Sequence, residues 1–408
     1  MVWYGHRFIV FNLLLVEKMT INESDIPELN DLKVLTGVST STDPVVAAKE
    51  LYDSIYQPDI EFCLFYCSPE YDLKILGDEL KRLFADVDII GCTSSGEITP
   101  IGYLRGSLTG LGLAGDGLNV VTKRLDDIDQ FKISHGSDAT RSLLNRLTSQ
   151  SEGEANSANT FGYLLIDGLR GKEEVVVSSV HHGLGGIQLF GGSAADNEHF
   201  SETHLFHEGQ FRTNCALLTL VQISHPFTVF KTQHFISSDK KMVVTEVDVN
   251  QRIVREINGV PAAPEYARIM GLPFEKLTME MMSDFPVIVK IGGEYFVRSI
   301  MTANSDGSLT FACAVDEGVV MTVAHGEDMV EKLESLFEEI KNDIGKPILT
   351  LGCDCYLRRL EMDQKGLQSD IARIMMDNNV IGFSTYGEQY NASHINQTFT
   401  GVAVGSKK

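Results

Sequence analysis

Apolar runs of strand length alternate with amphipathic segments along the chain from Val34 onward. Val34–Ser39 and Phe62–Cys67 are typical of strands, and Thr42-Asp43-Pro44 supplies a cap and a first-turn proline for a helix that runs to about Tyr56. Further along, apolar positions at helical spacing predict an amphipathic helix from about Glu327 to Asn342. This alternation predicts an α/β protein.

A strand–helix–strand–loop–strand unit recurs along the chain. The segment Ile90–Glu97 (IGCTSSGE) resembles Ile381–Glu388 (IGFSTYGE), and each leads to a Thr-Gly strand, at Gly110 or Gly401, with the same spacing from its first glycine. A weaker third copy is Phe190–Asn197 (FGGSAADN). Because residue type, order and spacing agree, we predict related domains built from repeated units around packed mixed sheets.

The strand-like run before Ser224-His225-Pro226 ends at a proline, which predicts a domain break there. We therefore predict an N-terminal tail over residues 1–33, one domain over 34–224 and a second over 225–408. Within the tail, Phe8–Val16 is almost entirely apolar, but it is about half a membrane span long and no small-residue cleavage site follows it. We interpret the tail as an extension from an upstream start codon; a signal peptide is the alternative.

The charge and the cysteine content indicate which partners and which cellular compartment to expect. The 408 residues include 56 acidic and 34 basic ones, a formal net charge of -22. A field of that sign repels phosphate backbones and anionic lipid headgroups, so neither nucleic acid nor a membrane surface is an expected partner. The seven cysteines are scattered and mostly lie in apolar runs, unlike a secreted disulfide framework. We therefore expect a reducing, cytoplasmic location.

Several motifs resemble those of one family of sensory proteins. From roughly Val34 to Val404 the chain is similar to the FIST N-terminal domain followed by the FIST C-terminal domain, in the family's order. The motifs that carry the resemblance are GCTSSGEI (91–98), DGL (167–169) and FGGSAAD (190–196) for the first domain, and INGVPA (257–262), YFVR (295–298), GFSTYGE (382–388) and residues 394–401 for the second.

The resemblance implies a sensor that binds a small ligand and acts on a signalling partner. The run Cys353–Glu361 (CDCYLRRLE) looks like the nitric-oxide-sensing branch of the family. Membership of that branch implies haem b as cofactor and a sensor histidine kinase, diguanylate cyclase or phosphodiesterase as partner. A homodimer is a further expectation. The alternatives are a non-haem sensor of an amino-acid-like molecule and an interaction scaffold.

The repeated loops carry the candidate ligand-binding residues. A glycine at the end of a strand, followed by hydroxyl side chains, presents backbone N–H groups and hydroxyls to a small polar ligand. In the alternative interpretation the glycines only permit a sharp turn and the hydroxyls satisfy the local backbone. The candidates are Gly91, Thr93, Ser94, Ser95, Glu97, Ser193, Ser384, Thr385, Tyr386, Glu388, Arg358 and Asn396.

Histidines and arginines are the candidates for holding a haem. His394 lies in a polar cluster before an apolar strand, where its imidazole either binds the iron or caps the loop. His204 and His207 are weaker candidates for the iron, and they fall on opposite faces if the segment is extended. Arg358 and Arg359 either pair with the propionates or form a solvated pair.

Metal and enzyme chemistry receive little support. Two cysteine pairs, Cys63 with Cys67 and Cys353 with Cys355, each place both sulfurs on one strand face, but buried free cysteines behave as small hydrophobic residues, so an iron–sulfur cluster or zinc is unexpected. The chain has no HExxH motif, no dinucleotide fingerprint and no recognisable Ser/His/Asp frame. We therefore expect a binding protein that is not an enzyme; an unrecognised hydrolase is the remaining alternative.

Overall fold

Three units with the same order of elements follow one another in the computed structural model, which describes residues 31–151 and 153–407. The first unit comprises β1 (Lys33–Ser39), α1 (Pro44–Ile55), β2 (Ile60–Cys67), α2 (Leu73–Leu83), β3 (Asp88–Thr93), β4 (Glu97–Thr99), β5 (Gly102–Leu104) and β6 (Leu108–Ala114). The second comprises β7 (Asn119–Asp126), α3 (Ile133–Gln150), β8 (Thr160–Ile166), α4 (Glu173–Leu184), β9 (Gln188–Ser193), β10 (Leu205–His207), β11 (Gln210–Arg212) and β12 (Cys215–Gln222).

The third unit is interrupted by an insertion after its first strand, β13 (Phe227–Thr232). The insertion comprises β14 (Phe235–Asp248), β15 (Ile253–Ile257), β16 (Val260–Pro261), α5 (Ala262–Met270), α6 (Met279–Asp284), β17 (Val287–Ile291), β18 (Glu294–Arg298), β19 (Ile300–Ala303), β20 (Leu309–Phe311) and β21 (Val320–Gly326). The unit then continues with α7 (Met329–Ile344), β22 (Pro347–Cys355), α8 (Tyr356–Lys365), α9 (Gln368–Asp377), β23 (Val380–Thr385), β24 (Glu388–Tyr390), β25 (Ser393–Ile395) and β26 (Phe399–Gly405).

Capping residues set where the helices begin. The Asp43 carboxylate accepts the backbone N–H of Val45 at 2.8 Å, and Pro44 occupies the first turn of α1. Asp328 caps α7 in the same way, accepting from Val330 at 2.8 Å. The mixed α/β fold predicted from the sequence is confirmed, and these two helices lie close to their predicted positions.

Each unit forms the same four-stranded mixed sheet. The strand orders are β1-β6-β2-β3, β7-β12-β8-β9 and β13-β26-β22-β23, and in each sheet the last two strands pair in parallel. A helix joins the two parallel strands in every case: α2, α4, or α8 with α9. The repeat seen in the sequence therefore corresponds to a repeated sheet.

The hairpin of each unit completes the sheet of another unit. Hairpin β4–β5 of the first unit pairs with β23 of the third, β24–β25 of the third pairs with β9 of the second, and β10–β11 of the second pairs with β3 of the first. Three six-stranded sheets result, and the exchange closes a circle. The three units are thus interlocked through backbone hydrogen bonds.

The inner faces of the three sheets enclose one core, and helices cover their outer faces. Tyr66, Tyr163 and Cys353, one from each unit, belong to the same buried cluster, and the hydroxyls of the two tyrosines are 2.7 Å apart. Separate clusters lie outside this core, where α1 and α2 cover the first sheet, α3 and α4 the second, and α7 and α9 the third. Apolar residues therefore fill both faces of each central sheet.

The insertion has an eight-stranded sheet and a core of its own, which includes Met242, Tyr266 and Met321. Its first and last strands, β14 and β21, pair so that Phe235 lies opposite Gly326. The insertion thus leaves the third unit and returns to it at adjacent points.

Residues 1–30, most of the predicted tail, lie outside the described residues. In the part that is described, none of the helices combines the length and the hydrophobicity needed to span a bilayer. The third unit begins at Phe227, directly after the break predicted at Ser224-His225-Pro226.

Candidate functional site

The three repeated loops meet where the three sheets exchange their hairpins. The N–H of Ser95 donates to the carbonyl of Ser384 at 3.0 Å, and the N–H of Tyr386 donates to Ser193 at 3.3 Å. The circle closes where the N–H of Ala195 donates to Thr93 at 3.1 Å. The loops that the sequence singled out are therefore brought together, one from each unit.

Two of these loops are closed by a buried glutamate. The Glu97 carboxylate accepts hydrogen bonds from the Ser94 hydroxyl and from the N–H and hydroxyl of Ser107. Glu388 accepts the equivalent bonds from the Thr385 hydroxyl and from the N–H and hydroxyl of Thr398. Each carboxyl group therefore ties the start of a hairpin to the strand that follows it, and most of its hydrogen-bonding capacity is used within the protein.

Burial alters the acidity of both groups. Removal from water raises the pKa of Glu97 to about 7 and that of Glu388 to about 8, against the lowering effect of the hydrogen bonds from the neighbouring hydroxyls. Arg359 also lowers the pKa of Glu97, whereas Asp354 raises that of Glu388. Both carboxyl groups thus titrate near neutral pH.

The loop glycines are required by the close approach of neighbouring strands. A Cβ atom at Gly191 would lie 1.9 Å from the Leu164 carbonyl oxygen, and one at Gly382 would lie 1.9 Å from that of Gly352. At Gly91 the added carbon would lie 2.6 Å from the Phe65 ring. Sheet packing accounts for these three glycines without a ligand.

Other predicted loop residues also have partners within the protein. Thr93 accepts the N–H of His204 through its hydroxyl at 3.1 Å. The Ser95 hydroxyl donates to the carbonyl of Asn197 at 3.1 Å, and the Tyr386 hydroxyl donates to Asp196 and to the same carbonyl. These contacts agree with the alternative interpretation, in which hydroxyls satisfy local groups.

A set of buried polar atoms near the third hairpin has no partner among the described residues. These atoms are Ser384 Oγ, Gln389 Oε1, His394 Nε2 and both side-chain polar atoms of Asn396. Each of the four residues is at most 2% exposed. We call Gln389, His394 and Asn396, with the adjacent Gly387, the third-hairpin cluster.

The members of the third-hairpin cluster are close neighbours. Gln389 Nε2 donates to Ser193 Oγ at 3.0 Å and lies 3.3 Å from His394 Nδ1. A Cβ atom at Gly387 would lie 2.9 Å from His394 Nε2 and 3.0 Å from Asn396 Nδ2. It would also lie 2.4 Å from His394 Cε1, so Gly387 is in close contact with the atoms that lack partners and leaves no room for an added carbon.

The first hairpin provides an internal comparison. By strand register, Ile98 corresponds to Gln389 and Tyr103 to His394. Ile98 is apolar, and the Tyr103 hydroxyl donates to the Asp354 carboxylate. At these two positions the first hairpin therefore has an apolar side chain and a hydrogen-bonded hydroxyl, whereas the third hairpin has polar atoms without partners.

Charged residues from α4 and from the insertion surround His394. Arg252 Nη2 lies 2.6 Å from carboxylate oxygens of both Glu173 and Glu174, and the N–H of Ala314 donates to Glu174 at 2.6 Å. Burial lowers the pKa of His394, so the imidazole is neutral near pH 7. Burial acts to raise the pKa of Glu174, but neighbouring positive charge and the hydrogen bonds from Arg252 and the Ala314 N–H outweigh that effect and hold the pKa below its usual range. Because His394 is neutral near pH 7, Arg252 supplies the positive charge there.

The insertion also covers the third hairpin directly. Arg298 Nη1 lies 3.5 Å from the His394 carbonyl oxygen. Gln397 is held from both ends, because its Oε1 accepts from the Ser299 hydroxyl and its Nε2 donates to the Ser283 carbonyl, each at 2.8 Å. Access to the third-hairpin cluster from this side requires the insertion to move.

The remaining candidates lie elsewhere. Arg358 is 2% exposed and donates to Asp354 at 2.6 Å, within a buried network that continues to His234. His204 and His207 lie on or beside β10 in the first sheet, whereas His394 is on β25 in the second. The structure therefore does not bring these three candidates to the third-hairpin cluster.

The surroundings of His394 do not fit a porphyrin. His394 Nε2 is a free nitrogen donor, but the side chain is buried and Gly387 and Asn396 adjoin it. The most prominent cavities among the described residues are not lined by His394, and the apolar cavity between the three sheets holds about 20 Å³. Within the same residues, no group of three or more His, Cys, Asp or Glu side chains is placed to bind a metal ion.

Sequence reasoning missed Gln389, Glu173, Glu174 and Arg252. Gln389 follows a singled-out glutamate directly, and its contrast with Ile98 was a usable signal. The other three come together only in the folded chain, since Arg252 belongs to the insertion and the two glutamates to α4. No local pattern marks such a pairing.

The fold and the cluster define a class: an α/β protein of three interlocked units with an inserted domain over a buried polar site. Residues 61–260 match the FIST N domain and residues 262–391 match the FIST C domain. The chain belongs to the FIST family. FIST domains are sensory domains, which supports a role in signal transduction, and neither match separates the nitric-oxide-sensing branch from the rest of the family.

Solved structures give a weaker likeness. A cyanuric acid hydrolase from A. caulinodans has a TM-score of 0.36 and 6% identity, and the match covers 92% of this chain and 100% of that one. A second cyanuric acid hydrolase structure has a TM-score of 0.35 and 9% identity, with the same coverage. Likeness at this level carries no argument about activity. No curated protein matches the chain.

Proposed function

We propose that this protein is a signal-transduction sensor, and not an enzyme, that binds a small polar molecule at the third-hairpin cluster. The observation that carries the proposal is the set of unpartnered atoms on Gln389, His394 and Asn396, all buried. Leaving a buried polar group without a hydrogen bond costs about 1–3 kcal/mol. A molecule that pairs with several of these atoms recovers much of that free energy.

The chemistry of the cluster indicates the kind of molecule. Asn396 offers both a donor and an acceptor, and Gln389 Oε1 accepts. Neutral His394 offers an Nε2–H donor, because its Nδ1 accepts from the Gln389 amide. A ligand that carries donors and acceptors close together, such as an amino acid, matches this set. Because an added Cβ at Gly387 would already lie 2.4 Å from His394 Cε1, such a ligand binds only when the covering insertion rearranges.

The covering insertion supplies a route from binding to signal. Arg298 and Ser299 of the insertion contact the third hairpin. A ligand that binds more tightly when these contacts are rearranged shifts the population towards that arrangement. A partner protein that reads the position of the insertion then receives the signal; a histidine kinase, a diguanylate cyclase or a phosphodiesterase in the cytoplasm stays the expected partner.

Thermal unfolding of the full chain tests the proposal. We would add glycine, L-alanine, L-glutamate and acetate separately, because a ligand present at 100 times its Kd stabilises the folded state by about 2.7 kcal/mol. Gly387→Ala places a methyl group among the unpartnered atoms, whereas Gly153→Ala meets nothing within 4 Å and serves as the matched control.

We expect at least one of these compounds to raise the Tm of the wild-type chain and of Gly153→Ala, but not that of Gly387→Ala. The proposal fails if none of the four compounds raises the Tm, since ordered water then suffices to explain the unpaired atoms. It also fails if Gly387→Ala responds like the wild type.

Haem b with nitric oxide as the signal is the narrower version of the sensor. Its support is the resemblance together with the free Nε2 of His394, and the limited space beside that nitrogen argues against it. Adding haemin to the purified chain and recording the visible spectrum decides the matter. A Soret band that shifts with nitric oxide and is lost in His394→Ala would establish the haem version.

A further inference from the structure

The inserted domain contains a cavity lined by its own strands and loops. Its volume is 630 Å³, within the range of roughly 300–1,000 Å³ typical of small-molecule sites. Strands β14, β17 and β21 contribute to its wall, together with Tyr295, Arg298 and residues 314–316. The cavity is separate from the third-hairpin cluster, although Arg298 contributes to both surroundings.

The charge of this cavity is opposite to that of the chain. Lys241, Lys290 and Arg298 line it, and Asp316 is the acid in its wall. The whole chain carries 56 acidic and 34 basic residues, so a site with three cations and one acid departs from the general composition.

These three cations have no carboxylate partner within 4.0 Å among the described residues. Nearby Lys231, by contrast, lies 2.6 Å from Glu294. Arg298 is half-buried, and its guanidinium contacts the backbone carbonyls of Val297 and His394. An anion entering the cavity would therefore meet positive charge that the protein itself leaves uncompensated.

Exposed apolar side chains line the same cavity. Ile291 is 54% exposed, Tyr295 42% and Val320 51%. Lys290 Nζ lies 5.3 Å from the centre of the Tyr295 ring, which places a cation beside an aromatic surface. Apolar and cationic groups in one cavity are complementary to a molecule with an apolar body and a negative group.

We propose that this cavity of the inserted domain binds an amphipathic organic anion, with Lys241, Lys290 and Arg298 around its carboxylate or phosphate group and Tyr295, Ile291 and Val320 against its apolar body. This site is distinct from the third-hairpin cluster and does not depend on ligand binding there. When an anion is bound in the cavity, Arg298 can contact the anion instead of the His394 carbonyl oxygen. Binding in the cavity is thereby linked to the contact between the insertion and the third hairpin.

Calorimetric titration of the full chain tests the site with three probes of similar body and different charge. The probes are 3-phenylpropionate, phenyl phosphate and the uncharged 3-phenylpropan-1-ol. We expect one-to-one binding of at least one anion, at least tenfold tighter than the alcohol and weaker at 200 mM than at 20 mM NaCl. The tighter of the two anions identifies the favoured group, carboxylate or phosphate.

Variants assign the binding to this cavity. Lys290→Gln and Lys241→Gln are exposed changes and should each weaken the anion about tenfold with little effect on Tm, whereas Lys240→Gln, a neighbouring exposed lysine outside the cavity, should leave affinity unchanged. Gly387→Ala should bind the probes with unchanged affinity. A failure of the proposal for the third-hairpin cluster can therefore be distinguished from a failure of the proposal for this cavity. The proposal is overturned if neither anion binds, if the alcohol binds equally well, or if Lys240→Gln weakens binding as much as Lys290→Gln.

Discussion

Glu97 and Glu388 occupy the same place in two of the three units, and both exchange solvent for hydrogen bonds from hydroxyl and N–H groups. The sequence interpretation placed them in a ligand site because an acid follows each glycine–hydroxyl loop. Their contacts show that they hold a hairpin to the next strand, and a ligand role for them stays a prediction. A buried carboxyl group with this structural role should affect the free energy of unfolding and the way in which that free energy changes with pH.

The contribution of Glu97 and Glu388 to stability should fall as the pH rises from 5 to 9. Burial raises the pKa of Glu97 to about 7 and that of Glu388 to about 8, above an unfolded value near 4.5. The stabilisation is complete below the unfolded pKa and is lost as the pH passes the folded values, at about 1.4 kcal/mol for each unit of pKa difference. Urea unfolding at several pH values measures this decline.

Glu388→Gln isolates the contribution of one carboxyl group, because the amide cannot ionise. We expect its unfolding free energy to fall less with pH than that of the wild type. Glu338→Gln removes an exposed carboxylate and is the control. If the unfolding free energies of the wild type and Glu388→Gln change with pH in parallel, the Glu388 carboxyl group does not cause the decline in stability.

Arg252 joins the insertion to α4 through two glutamates, and its side chain is 12% exposed. Arg252→Met should destabilise the protein by about 3–5 kcal/mol, because it leaves the buried Glu173 carboxylate without its partner. Arg255→Met removes an exposed contact at 3.9 Å to Glu246 and should cost less than about 1 kcal/mol. Equal effects in urea unfolding would contradict the importance of the Arg252 contact.

At the scale of elements, the strands and helices were largely predictable because they depend on local periodicity and capping. Asp43 and Asp328 cap α1 and α7 at the predicted ends, and the glycine-centred repeat corresponds to the strand pairs β2–β3, β8–β9 and β22–β23. The exchange of hairpins was not predictable, since it pairs strands from distant parts of the chain. For the same reason the sequence identified His394 and Asn396 but not their charged surroundings.

The glycines of the parallel strand pairs give a prediction at this scale. Gly382→Ala should destabilise the protein by a few kcal/mol, because the new Cβ would lie 1.9 Å from the carbonyl oxygen of Gly352. Gly153→Ala, with nothing within 4 Å of its Cβ, should change stability little. Comparison of the two unfolding midpoints checks this, and similar midpoints would mean that the strands can separate at little cost.

At the scale of the whole molecule, the circular exchange makes each unit depend on another. A fragment of residues 34–224 retains two units, but β9 loses the strand β24 and hairpin β4–β5 loses its partner β23. We expect this fragment to aggregate or to lack a cooperative thermal transition, as measured by circular dichroism. A soluble fragment with a transition as sharp as that of the full chain would contradict this dependence.

The insertion, in contrast, should be removable. Because Phe235 and Gly326 lie opposite each other, replacing residues 236–325 by a short Gly-Ser linker should leave the three-unit core able to fold. We expect a cooperative transition with loss of anion-probe binding. If the deletion variant has no cooperative transition, the core requires the insertion for its own stability.

The interlocked hairpins also bear on synthesis at the ribosome. Hairpin β4–β5 emerges early, yet its partner β23 is translated near the end of the chain. An unpaired β-ribbon therefore waits in the nascent polypeptide for most of elongation, at risk of joining the ribbon of a neighbouring chain on the same messenger. The topology therefore predicts a nascent chain prone to aggregation, which chaperones that cover this hairpin during translation would limit.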